Sequence, residues 1–329
     1  MRKTVILLLF ILLALPMLAQ NDLKLWYDKP AADWNQALPL GNGRLGAMVF
    51  GVPSVEHLQL NEETIWAGSP NSNAHKLEDG VLEKVRKLVF EGRYQEAENM
   101  ATAKIMSPKN HGMPYQTMGD LFISFAGHDN YTDYYRDLDI SKALATVKYK
   151  VNGVNYTREM YTSFVDQAII VRLTADKKSS ISCNVLLTTP QEKAEKFVED
   201  NQLVVQAITP AHEKQSGKVQ LESRVKPKVI GGTYKVKDNV ISIINADEVI
   251  IYVSIATNFV NYKDLTADKT ARCKVYMNNA FNRDYESAKA DHVAYYKQFF
   301  DRSSLYLGVT EAAKLPTDVR IRDFSKQFD

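Results

Sequence analysis

Two short stretches of this chain place side chains that could handle a carbohydrate. Asn61-Glu62-Glu63-Thr64-Ile65-Trp66 sets an amide, two carboxylates and a hydroxyl within a few residues of an indole, and Tyr115-Gln116 with Asp120 repeats the mixture further on. An aromatic face can stack on the C–H surface of a sugar ring, while amide and carboxylate groups hydrogen-bond its hydroxyls. A plainer account also fits: Trp66 packs in a core or an interdomain seam, and Asn61 and Glu62 satisfy backbone donors. Glu62 or Glu63 with Asp120 could in principle supply the acid and base of a glycosidase. Isolated carboxylates at sheet edges are more often solvated or capping groups.

Gly41-Asn42-Gly43-Arg44-Leu45-Gly46 matches the glycine spacing of a dinucleotide-binding turn. That chemistry needs a strand before the glycines and a helix after them, its N-terminus facing the pyrophosphate. Here Ala47-Met48-Val49-Phe50 follows, a β-type run, so the glycines are expected to make tight turns at the start of a sheet, with Arg44 a salt-bridged surface residue. Cys183 and Cys273 leave open one disulfide or two buried thiols. The six histidines are scattered and no CxxC or HExxH occurs, so neither a metal site nor a cofactor is expected. Tyr131, Tyr134 and Tyr135 read as strand and edge packing rather than an exposed glycan platform.

The elements that must position these residues are mostly strands. Ala145, Val147, Tyr149 and Val151 alternate with Thr146, Lys148 and Lys150, Asn152-Gly153 supplies a tight turn, and Val154 to Met160 returns. Further strands are expected at Leu45–Val52, Val55–Leu60, Gly119–Phe125, Gln167–Thr174, Ser180–Leu187, Leu203–Ile208, Lys218–Val225, Val240–Ile244 and Val249–Thr257. So many strands at close spacing predict a mainly β fold, a large antiparallel sandwich of two packed sheets. Val81, Leu82, Val85, Leu88 and Val89 make one helical stripe, and Tyr94, Ala97, Ala101 and Ile105 another, giving a helical insertion at about 79–106. Tyr285 to Phe300 predicts a helix near the end, followed by a short strand at Ser304–Leu307.

The chain has 329 residues, 45% hydrophobic and 24% charged, the balance of an ordinary globular protein. A net charge of +2 recommends no nucleic-acid partner. Arg2-Lys3, the apolar run Val5 to Leu15 and the small Ala19 before Gln20 read as a signal peptide over residues 1–19. The run is shorter than the roughly 20 residues that span a bilayer. Export to the periplasm or the extracellular space is therefore expected, with no membrane span.

Leu38-Pro39-Leu40-Gly41-Asn42-Gly43-Arg44-Leu45-Gly46-Ala47-Met48-Val49-Phe50-Gly51, with Gln59-Leu60-Asn61-Glu62-Glu63-Thr64-Ile65-Trp66-Ala67-Gly68, resembles the N-terminal domain of glycoside hydrolase family 95, the inverting α-L-fucosidases. Tyr115-Gln116, Gly119-Asp120-Leu121, Tyr156-Thr157-Arg158-Glu159, Ala246-Asp247-Glu248 and Pro316-Thr317-Asp318 extend the match over nearly all of the chain after the leader. The resemblance implies a galactose-mutarotase-like β supersandwich at 20–265, a helical linker at 266–329, and then an (α/α)6 barrel carrying the catalytic acid and base. No catalytic residue is assigned in this chain, since that barrel would lie beyond Asp329. Expected partners are a fucosylated glycan and the barrel packed on this domain. Asn61, Glu62, Thr64, Trp66, Tyr115, Gln116 and Asp120 would wall the substrate entrance or brace it from the domain seam. The same resemblance leaves room for α-L-galactoside specificity, and a non-catalytic carbohydrate-binding or scaffolding module is the alternative from another class.

Overall fold

The computed structural model describes residues 23–72, 74, 76–107 and 112–326; the leader read in residues 1–19 lies outside them. Alternation of apolar and polar residues builds two antiparallel sheets. One contains β1 (Lys24–Tyr27), β6 (Thr132–Asp139), β7 (Leu144–Val151), β8 (Val154–Ser163), β9 (Ala168–Ala175), β11 (Lys193–Glu199), β12 (Gln202–Ile208), β13 (Gln220–Ile230) and β16 (Glu248–Thr257). Their order across the sheet is β1-β6-β7-β8-β9-β16-β13-β12-β11. The other contains β2 (Leu38–Gly41), β3 (Leu45–Val49), β4 (Val55–Glu62), β5 (Gly119–Ser124), β10 (Ile181–Thr188), β14 (Thr233–Lys237) and β15 (Val240–Ala246), in the order β14-β15-β10-β5-β4-β3-β2.

The expected hairpin forms with Ala145 opposite Met160 and Val151 opposite Val154, and Asn152 and Gly153 both take positive φ, as a two-residue turn requires. Between the sheets lies one apolar core, to which Val49, Leu58, Leu121, Val147, Val171, Val185, Leu221, Ile241 and Val253 all belong. A buried ion pair interrupts it. Arg158 donates to Glu56 at 2.8 Å, to the Tyr149 hydroxyl at 2.8 Å and to the carbonyls of Val52 and Pro53, while Glu56 accepts the Gly51 amide at 2.7 Å. These bonds pin the turn between β3 and β4, where Gly51 has φ +75° and an added Cβ would sit 2.7 Å from the Tyr134 hydroxyl. Tyr134 thus faces the molecule, and Tyr135 stacks on Trp26 at 5.9 Å, as strand packing requires.

Helices cover the outer face of the nine-stranded sheet. Asp268 caps α3 (Lys269–Phe281) by accepting the amides of Thr270 and Ala271, and Asp284 caps α4 (Tyr285–Phe300) through the Ser287 amide. Met277, Ala280 and Tyr285 pack on Tyr161, Ile170, Ile250 and Tyr252, forming a second apolar layer. That layer explains why β16 reads as an unbroken run, Val249-Ile250-Ile251-Tyr252-Val253: it is buried on both faces. The insertion folds as α1 (Val81–Phe90) and α2 (Tyr94–Lys104), joined at Gly92 with φ +76°.

The strand expected at Ser304–Leu307 does not form. Leu305, Tyr306 and Leu307 are 75–86% exposed and have no neighbouring strand to share a ladder. The chain docks again beyond them, where the Thr317 hydroxyl accepts the Trp26 amide at 3.0 Å and Asp318 pairs with Lys29 at 2.6 Å. That contact brings α5 (Thr317–Asp323) against β1, at the edge of the sheet.

Candidate functional site

The last residue of β4, Glu62, turns inward and is 2% exposed. Its carboxylate accepts from the Thr64 amide at 2.8 Å, the Thr64 hydroxyl at 2.6 Å and Arg44 at 3.3 Å. The Thr64 hydroxyl continues to Thr257 at 2.5 Å, joining the end of β4 to the end of β16. Arg44 also donates to the Gln167 side chain at 2.6 Å and the Ile255 carbonyl at 2.8 Å, and lies over the Tyr276 ring. Arg44 is therefore salt-bridged as expected, but it is an internal tie between the sheets and α3 rather than a surface group. Burial pushes the Glu62 carboxyl above its ordinary range, against the opposing pull of Thr64 and Arg44.

Just past this bracket the chain exposes two aromatic rings. Trp66 and Tyr115 face each other across an isolated antiparallel bridge, centroids 5.1 Å apart and nearly perpendicular, and are 44% and 40% exposed. Backbone bonds flank the bridge, from Ala67 to Pro114 at 3.0 Å and from Gln116 to Ile65 at 2.9 Å. The Trp66 indole donates to the Glu63 carbonyl and the Tyr115 hydroxyl to the Glu62 carbonyl, both at 2.9 Å. Burial raises the Tyr115 phenol above its ordinary pKa, while Asn61 hydrogen-bonds it and opposes the shift. Gly68 locks a third loop in place, donating to Pro210 and accepting from Lys218, with Met113 too close to admit a Cβ. The polar ends of both rings are thus occupied and their faces are held in fixed positions at one end of the sandwich. A rigid aromatic surface of this kind suits the C–H face of a sugar.

Asp120 belongs elsewhere. It pairs across the ladder with Gln59 and points from the outer face of the seven-stranded sheet, where it bonds His57 at 2.7 Å. His57 is itself stacked between Phe50 and Phe122 at 4.4 and 4.6 Å. Glu62 and Asp120 therefore project from opposite faces, and these two carboxylates form no acid–base pair. Gln116 donates to the Tyr115 carbonyl at 2.9 Å and stays beside the aromatic pair. The expected set accordingly divides in two, Asn61, Glu62, Thr64, Trp66, Tyr115 and Gln116 together and Asp120 apart.

The glycine motif is the hairpin between β2 and β3: the Asn42 side chain accepts the amides of Arg44 and Leu45, Gly43 has φ +90°, and a strand follows rather than a helix. Cys183 and Cys273 are free, and burial pushes both thiols up to about 12. Sequence reasoning missed His57, although its place in the alternation of β4 puts it on the face Asp120 shares. It also missed the partners of Arg44, which come from positions 123 and 211 residues away in the chain.

Residues 25–262 match the family described as glycosyl hydrolase family 65, N-terminal domain. The "Alpha-L-fucosidase 2" of Arabidopsis thaliana is 30% identical over 94% of this chain and 40% of its own length. Two proteins named "Probable alpha-fucosidase A" match half of this chain each: that of Aspergillus oryzae at 31% identity over 23% of its length, and that of Aspergillus niger at 29% over 21%. The chain thus spans less than half the length of each of these relatives. The matching family is numbered 65 where the sequence blocks resemble family 95; both are N-terminal domains of glycoside hydrolases.

Proposed function

The chain belongs to the family of glycosyl hydrolase family 65 N-terminal domains, and from that premise we propose that it is the N-terminal β domain of an exported α-L-fucosidase of the family 95 kind. In this reading the complete enzyme removes terminal α-linked L-fucose from glycans with inversion, a separate domain supplies the acid and the base, and this domain walls the sugar's approach. The observation that carries the role is the Trp66–Tyr115 pair: two partly exposed rings in edge-to-face contact whose polar ends are tied to the backbone, so that their exposed surface is held rigidly at one end of the sandwich. The names of the relatives support the choice of fucose. The separation of Glu62 from Asp120 supports a domain without its own hydrolytic pair.

Three measurements test this reading. The chain alone releases no fucose from an aryl α-L-fucoside; turnover that Asp120→Asn abolishes would sink the non-catalytic role. In the full-length enzyme, Trp66→Ala raises KM for a fucosylated oligosaccharide several-fold and leaves the melting temperature in place. Loss of stability with unchanged KM would make Trp66 a packing residue. Export predicts that the secreted protein begins at Gln20, read directly by N-terminal sequencing.

A further inference from the structure

The segment after α4 has the pattern of a strand and no strand beside it. In Ser304-Leu305-Tyr306-Leu307, an extended backbone puts Leu305 and Leu307 on one face and Tyr306 on the other. Leu305, Tyr306 and Leu307 are 75–86% exposed. Among the described residues, no backbone hydrogen bond reaches residues 303–309: the last before them runs from the Arg302 amide to the Phe299 carbonyl, and the next joins Ala313 to Thr310. A run of free amides and carbonyls beside exposed leucines is the half of a β-ladder that a sheet edge completes. Its ends are held. Asp301 closes α4 by donating its amide to the Lys297 carbonyl, Gly308 turns the chain with φ +93°, and Thr317 accepts the Trp26 amide at 3.0 Å. A segment already restrained at both ends loses less freedom when it pairs.

The four edges of the chain's own sheets do not invite it. β11 carries Lys193, Glu195, Lys196 and Glu199, β14 carries Lys235 and Lys237, β2 contains Pro39, and β1 gives its Trp26 amide to Thr317. Charged and proline-bearing edges resist strand addition, so a second copy of this chain offers the segment no open edge. The chain also spans less than half the length of each relative named above.

We propose that Ser304–Leu307 adds as a strand to the open edge of a β-sheet in another domain of the complete enzyme, bonding that edge through its main chain and laying Leu305 and Leu307 on the sheet's apolar face. The further domain rests on the reading given under Proposed function; the pairing rests on the free backbone and the exposed leucines. The partner is an uncharged edge strand with an apolar face, since main-chain bonds supply the attraction and alternate side chains the register. The segment then ties the two domains at a place separate from the Trp66–Tyr115 pair.

The test is hydrogen exchange, resolved to single residues, on the full-length enzyme and on the chain alone. In the chain alone the amides of residues 304–307 exchange as fast as those of an unstructured peptide. In the full-length enzyme every second amide slows by about a hundredfold, either Leu305 and Leu307 or Ser304 and Tyr306, because a single edge bonds alternate residues. Tyr306→Pro and Leu307→Pro each remove one amide, of opposite parity. One of the two lowers the melting temperature of the full-length enzyme by several degrees, and neither changes that of the chain alone. Fast exchange throughout 304–307 in the full-length enzyme, or full-length melting that neither proline lowers, overturns the pairing. Protection that appears in the chain alone as its concentration rises assigns the strand to a second copy and overturns it too. Fucose release is read separately: alternating protection without release sinks the fucosidase reading and leaves the pairing standing, and release with fast exchange does the reverse.

Discussion

Glu56 and Arg158 show how much a single side chain can hold here. Both are essentially unexposed and their charges meet at 2.8 Å, with Arg158 also over the Phe125 ring. Removing one partner leaves the other charge uncompensated in the core, so Glu56→Gln should cost about 3–5 kcal/mol in urea unfolding. A change under 1 kcal/mol would mean that water reaches Arg158. Two buried histidines govern the acid side. Burial lowers the pKa of His128, with Arg158 adding to the shift, and burial lowers that of His292. A base with a depressed folded pKa binds fewer protons folded than unfolded. Its stabilising contribution is complete above the ordinary value of 6.5 and drains away as pH falls through the folded value. The melting temperature should fall on acidification from about pH 7 to about pH 5, and His128→Gln should flatten that slope; an unaltered slope contradicts a buried neutral His128. None of these partners was legible in the sequence, where Glu56, His128 and Arg158 are ordinary polar residues far apart.

At the scale of elements, Gly119 decides how the aromatic bridge meets the sheet. It begins β5 with φ +134°, and an added Cβ would lie 2.0 Å from the Thr188 carbonyl oxygen on β10. Gly119→Ala should destabilise the protein by about 1–3 kcal/mol through backbone strain, with steric displacement of β10 adding to it. Trp66 fluorescence should report the displaced loop, and a variant with wild-type melting and emission would count against that role. The strands legible in sequence were the central ones, where alternation is clean because one face is buried. The edges were not. β11 carries Lys193, Glu195, Lys196 and Glu199, charges that protect an edge from further pairing and also erase its apolar period. β6, an interior strand between β1 and β7, hides differently, since Arg136, Asp137 and Asp139 are buried and mimic a loop composition.

For the whole molecule, one end of the sandwich collects exposed apolar side chains from separate loops: Trp66, Tyr115, Phe164, Val165, Val260 and Tyr262. Arg44 and Thr64 tie these loops together through Gln167 and Thr257. Exposed apolar surface on this scale favours association. Sedimentation of the chain should show concentration-dependent self-association, weakened by Tyr262→Ser; a clean monomer at high concentration would argue against a sticky end. By itself the sequence determined a mainly β fold, through alternation and the Asn152-Gly153 turn, because periodicity and turn chemistry are local properties; the Leu38–Gly51 and Gln59–Gly68 blocks added a resemblance to a glycoside hydrolase family. Only the tertiary structure turned Glu62 inward, separated Asp120 from it and joined Trp66 to Tyr115. Those outcomes depend on which strands become neighbours and which face each residue takes, and neither is encoded in the spacing of residues along the chain.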